Sequence, residues 1–206
     1  MKMDSRLARI SSFALFALIL VSITGCSTQQ FYASYYIDPK PAYVEYSELV
    51  PPVDRQPVYL VFDMYSAEGS FPEATRKLAP KVAQTIRDSR LFSTVSKVGS
   101  ENMARIQISM RETGVLSGHD DTKNLPQGLT ALPGSKGIIT YAFTAQYQAP
   151  GRDVVKKTYP HAVHVVPDDR TGLGNALPMT AGHAVDRMVE QVVLGFLRDL
   201  QREKKL

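Results

Sequence analysis

Between Met103 and Arg111, the apolar residues Ile106, Ile108 and Met110 alternate with Arg105, Gln107, Ser109 and Arg111. Successive side chains of a strand point to opposite faces, so such a run has one face for a core and one for water. The pattern recurs at Val58, Leu60, Phe62 and Met64, set against Tyr59, Val61, Asp63 and Tyr65. It recurs again at Ile139, Tyr141, Phe143, Ala145 and Tyr147. The turn Pro150-Gly151-Arg152-Asp153 then leads into a partner strand over Val154–Val166, interrupted by Pro160, which completes a long antiparallel hairpin. Leu91–Val98 offers a further short strand.

Half-buried strands need an apolar cover, and two helical stretches supply it. Over Pro72–Arg90, Leu78, Val82 and Ile86 recur every fourth residue with Ala79 and Ala83 beside them, while Pro80 predicts a kink or a later start. Near the carboxy terminus Val185, Met188, Val189, Val192, Val193, Phe196, Leu197 and Leu200 form a stripe, and Asp186, Arg187, Glu190, Arg198 and Asp199 fill the remaining positions. Arg202, Lys204 and Lys205 then complement the helix dipole. The expected fold is α+β, a two-layer sandwich with a mainly antiparallel sheet of about five strands and two helices packed on one face. The single cysteine allows no internal disulfide, and a domain of about 150 residues buries enough surface to need none. Gly114–Gly137, rich in glycine and proline, reads as a long loop of the kind that carries function.

The amino terminus reads as an address. Lys2, Arg6 and Arg9 precede the nine-residue apolar run Phe13–Val21, which is shorter than the roughly 20 residues a membrane-spanning helix needs. Ile23-Thr24-Gly25-Cys26 follows and resembles the lipobox of bacterial lipoproteins. The resemblance implies cleavage between Gly25 and Cys26, a diacylglyceryl group on the Cys26 sulfur, and a palmitate-type acyl chain on the new amine. Two or three chains at about 0.8 kcal/mol per buried methylene hold a protein on a membrane essentially permanently. Ser27 stands where an inner-membrane retention signal would have Asp, so the resemblance implies the outer membrane, with the body facing the periplasm. Residues 1–25 are then the signal peptide, 26–56 a lipidated tether and 57–206 a single domain.

Residues 27–56 interleave Phe31, Tyr32, Tyr35, Tyr36, Tyr43 and Tyr46 with Pro39, Pro41, Pro51 and Pro52. Fully extended, such a stretch reaches about 100 Å. Two readings are open: a spacer whose aromatics contact a partner, or a segment, around Ala42–Leu49, that lies back on the body of the same chain.

No reaction is legible. His161 and His164 form an H-x-x-H pair, but residues three apart on a strand point to opposite faces and do not converge on a metal. His119-Asp120-Asp121, with Thr122 and Asn124, lacks the ligand order of a calcium loop and fits turn formation better. Gly134-Ser135-Lys136-Gly137 has Leu129 where a phosphate loop needs glycine. Ser135 lacks a nucleophile-elbow context, and Asp168-Asp169 are adjacent carboxylates in a loop. Acylation consumes the only thiol, which leaves no cysteine nucleophile. Of 24 Lys+Arg and 20 Asp+Glu, the first 25 residues hold three and one, so the rest carries 21 against 19 and gives no reason to expect nucleic acid. No cofactor and no metal are expected.

The order of elements, together with Gly128-Leu129-Thr130-Ala131-Leu132-Pro133 followed by Tyr141-Ala-Phe-Thr-Ala145, is similar to bacterial envelope lipoproteins with one α/β domain. These include the curli secretion-channel lipoprotein, an exopolysaccharide-export lipoprotein and lipoprotein activators of penicillin-binding proteins. The resemblance implies a non-enzymatic accessory or scaffold, held in the outer membrane by Cys26, with an envelope protein as partner. Two alternatives remain: a lipid- or glycan-binding module, which would need a pocket lined by Tyr141, Phe143 and Tyr147, and a ring-forming export channel built from the 138–166 hairpin.

Overall fold

The computed structural model describes residues 33–117, 137–167 and 178–206. They form an α+β fold: strands β1 (Ala33–Ile37), β2 (Val58–Ser66) and β3 (Gly69–Ser70), helix α1 (Pro72–Asp88), strands β4 (Val95–Ser96), β5 (Ala104–Ser117), β6 (Gly137–Gln148) and β7 (Val155–Pro167), and helix α2 (Ala181–Arg202). The sheet has seven strands in the order β1-β7-β6-β5-β2-β3, with β4 also on β2.

The sheet has seven strands where about five were expected, and it is mixed, with four of its six pairings antiparallel. β6 pairs antiparallel with both β5 and β7, as the hairpin pattern predicts, but β2 runs parallel to β5 and to β4. Alternation reports which face a residue is on and says nothing of strand direction. The direction follows from α1, which carries the chain back across the sheet between β2 and β5, as a parallel connection requires.

One face of the sheet and both helices share a single core. Across adjacent strands Met64, Met110, Phe143 and Tyr159 stand in one row, and Leu60, Ile106, Tyr147 and Val155 in another. Leu78, Val82 and Ile86 of α1 and Met188, Val192, Phe196 and Leu200 of α2 close over them. α1 starts at Pro72, a residue suited to a first turn because its missing N–H would have no helical partner there. It continues through Pro80, which sits on the exposed side, so the Arg76 carbonyl it leaves unbonded is open to water. Thr75 Oγ1 accepts the Met64 N–H at 2.8 Å and ties the start of α1 to β2.

The segment expected to be tether contributes to this body. β1 forms the sheet edge on β7, with Tyr36 opposite His164. The chain then turns along the outer side of α2, where Val44 and Leu49 are buried in the core. Tyr43 Oη accepts from Arg187 at 2.9 Å, Tyr46 donates to Glu190 at 3.1 Å, and Gln191 donates to the Pro41 carbonyl. Val50 exchanges hydrogen bonds with the Gln201 amide. Residues 33–56 therefore pack on the same body as the strands and helices that follow residue 57, with Val44 and Leu49 in its core and Tyr43 and Tyr46 bonded to α2. Likewise, residues 114–117, expected to open a loop, belong to β5, which continues to Ser117 through a register shift between Glu112 and Gly114; residues 118–136 of that expected loop lie outside the described residues.

Candidate functional site

The face turned away from the helices is built by the same registers. Parallel pairing sets Tyr59 opposite Arg105 and, six residues on, Tyr65 opposite Arg111. The Arg111 guanidinium lies 4.8 Å from the Tyr65 ring centre and that of Arg105 6.0 Å from the Tyr59 ring, within cation–π range. Both arginines are exposed. Gly99 backs the Tyr59 ring so closely that a Cβ there would come within 2.6 Å of it. Arg105 Nη2 also donates to Gln107 Oε1 at 2.8 Å.

Between these two rows the face is polar. One row carries Val61, Gln107, Gln146 and Lys156, and the next Asp63, Ser109, Thr144 and Thr158. Beyond the Tyr59 row, the surface dips into a groove of about 500 Å³ bordered by Tyr59, Glu101, Arg105 and Gln148. A second groove, of about 390 Å³, runs past Tyr147, Arg152, Asp153 and Lys204.

A buried polar cluster lies at the opposite edge. His164 Nε2 is 3.5 Å from Asp38 Oδ2, with neither side chain exposed. Asp38 Oδ1 accepts the Lys40 N–H at 2.8 Å. His161 stands across from Tyr141 on the core face, and His164 across from Ile138 on the other. The histidines thus lie on opposite faces, as their spacing predicts, and Asp38 and Gln191 accompany them. Among the described residues, no group of three or more His, Cys, Asp or Glu side chains is placed to hold a metal.

Burial pushes the proton affinity of His161 down, opposed by the Ala162 backbone, Gln191 and the charge of Asp38, while His164 adds to the lowering. The folded protein then binds fewer protons than the unfolded chain just below the ordinary histidine value of 6.5. This stability is present above that value and is lost as pH falls through the depressed native one. The urea midpoint is expected to drop between pH 7 and 5.5, and His161→Gln is expected to reduce that drop. Equal pH dependence of the two proteins would exclude His161 as its source. Elsewhere in the fold, burial raises Glu112. Burial and then Glu190 push Tyr46 up to about 12.

Gly25 and Cys26 lie outside the described residues, as do His119, Asp120, Asp121, Ser135, Asp168 and Asp169. Tyr141 and Phe143 are buried in the core, and Tyr147 borders the groove past Arg152. The Tyr–Arg rows were not picked out from the sequence. Their residues stand there as the polar halves of two alternating runs, but only the parallel pairing of β2 with β5 brings them together.

No protein-family model matches the chain, and no curated protein sequence does. Solved structures similar to it include the rare lipoprotein B from Shewanella oneidensis, with a TM-score of 0.37 at 9% identity over 73% of this chain and 94% of that one. A PelC dodecamer from Paraburkholderia phytofirmans gives 0.33 at 11% identity over 81% of this chain and 97% of that one. An uncharacterized protein gives 0.30 at 7% identity over 74% and 94%.

Proposed function

We propose that this is a lipid-anchored envelope lipoprotein, held in the outer membrane through Cys26, whose periplasmic body is a non-enzymatic accessory or scaffold for an envelope assembly. The observation that carries the reading is Ile23-Thr24-Gly25-Cys26 placed just after a short apolar run and a basic start. Six residues separate Cys26 from Ala33, where β1 begins, so the link reaches at most about 25 Å instead of 100 Å. The anchor therefore holds the body close to the bilayer.

Strand registers give that body two distinct ends. Ala33 pairs with Pro167, Gly137 with Val165 and Ser117 with Gly137, so the anchored end is where these strand termini meet. Arg105, Gln148 and Val155 lie at the far end, and β5, at 14 residues, spans about 45 Å. Support for an accessory role comes from the sequence, which holds no recognisable catalytic motif. No helix among the described residues is long and apolar enough to cross a membrane.

Cys26→Ala is expected to move the protein from the membrane pellet to the soluble fraction and to abolish labelling with a palmitate analogue. Full retention in the pellet, or unchanged labelling, would overturn the anchor.

A further inference from the structure

We propose that the face of the sheet turned away from the helices binds an acidic polysaccharide, with Arg105 and Arg111 as its carboxylate-binding residues. The inference stands on the folded body alone and does not depend on acylation of Cys26. Parallel register repeats one Tyr–Arg couple after six residues, which at about 3.3 Å per residue puts the two arginine backbone positions about 20 Å apart along the strands. Arg111 lies against the Tyr65 ring, and Arg105 is held by Gln107 with Tyr59 nearby, which restricts both guanidinium groups while their remaining N–H groups can donate to a carboxylate. Across the four rows Arg105, Arg111 and Lys156 are opposed by Asp63 alone, so the surface complements a negative ligand.

The residues between the arginines decide what kind of polyanion fits. Gln107, Gln146, Ser109, Thr144 and Thr158 repeat amide and hydroxyl groups at the inter-strand spacing of about 4.8 Å, which suits a hydroxyl-rich chain. A protein interface is centred on aromatic and apolar anchors, whereas Val61 is the one large apolar side chain in these two middle rows. The distal groove continues the same track past Tyr59 and Arg105, with the Glu101 carboxylate on its border. A linear polymer with carboxylates spaced along it engages both arginines at once, and the gain over a single contact comes from effective concentration.

The test is binding of polygalacturonate to the purified full-length protein by affinity electrophoresis and calorimetry. Arg105→Gln and Arg111→Gln are each expected to weaken it about five-fold and the double variant at least tenfold, with unchanged thermal melts. Replacing Lys204 and Lys205 by Ala, outside the Tyr–Arg rows, is expected to leave it within two-fold. Neutral dextran, poly-glutamate and phosphatidylglycerol vesicles are expected to bind at least tenfold more weakly than polygalacturonate. The proposal is overturned by absent polygalacturonate binding, by equal binding of dextran, or by equal loss in the Lys204/Lys205 variant. Poly-glutamate or vesicles binding as well as polygalacturonate would overturn it in favour of an acidic protein or a membrane surface.

Discussion

A chain that starts at Pro57 is expected to lose most of its stability and to aggregate or melt at low denaturant, although every residue of β2 to α2 is retained. Tyr36, Val44 and Leu49 are 1%, 0% and 4% exposed and would all be removed. At about 1.5–3 kcal/mol for each fully buried side chain, their loss amounts to some 5–9 kcal/mol, against a total stability of about 5–15 kcal/mol for a typical domain. The truncation also bares the β7 edge that β1 covers, and unpaired edges invite association. It leaves Gln191 and His164 buried without Pro41 and Asp38. A chain that starts at Ala33 keeps all of these contacts and is expected to be several kcal/mol more stable than the one that starts at Pro57. Urea unfolding and gel filtration of the two truncated chains check this, and matching stabilities would show that residues 33–56 add nothing to the fold.

Phe143→Ala carries the second large effect. Phe143 is fully buried in the middle of the sheet, with Met110 on one side and Tyr159 on the other, under both helices. Removing a buried phenyl ring costs its transfer free energy and leaves a cavity, together about 3–5 kcal/mol. Its neighbour Thr144 points the opposite way, onto the polar face, and Thr144→Ala is expected to change stability by no more than about 0.5 kcal/mol. Two adjacent substitutions with such different costs test whether the helices cover one face only. Comparable losses would mean that both faces are packed.

The contrast between those neighbours was legible without coordinates, because period-two alternation assigns each residue of β5 and β6 to a face. The same holds for the stripe on α2 from Met188 to Leu200, whose members are buried as their spacing demands. Periodicity stopped being a guide on the other side of α2. Arg187, Glu190, Arg198 and Gln201 look like a solvated face, yet the chain from Pro41 to Val50 lies against them through Tyr43, Tyr46, Glu48 and Val50. Leu194 and Gly195 are buried with them. A segment dense in tyrosine and proline reads equally as a spacer or as a strap, since both uses favour extended backbone with large amphipathic side chains.

The sequence by itself determined the lipobox-like Cys26 site, the two helices, the half-buried strands and the face each residue takes. All of these are local: charge order over some twenty residues, or apolar repeats within one element. Tertiary structure alone decided three other things: how residues 33–56 pack on the body, which strands run parallel, and which polar residues become neighbours. Each depends on contacts between positions far apart in the chain, such as Tyr43 with Arg187 or Tyr65 with Arg111. Pairings of that kind follow from the crossover through α1 and the return of the strap along α2, and no short window of residues encodes them.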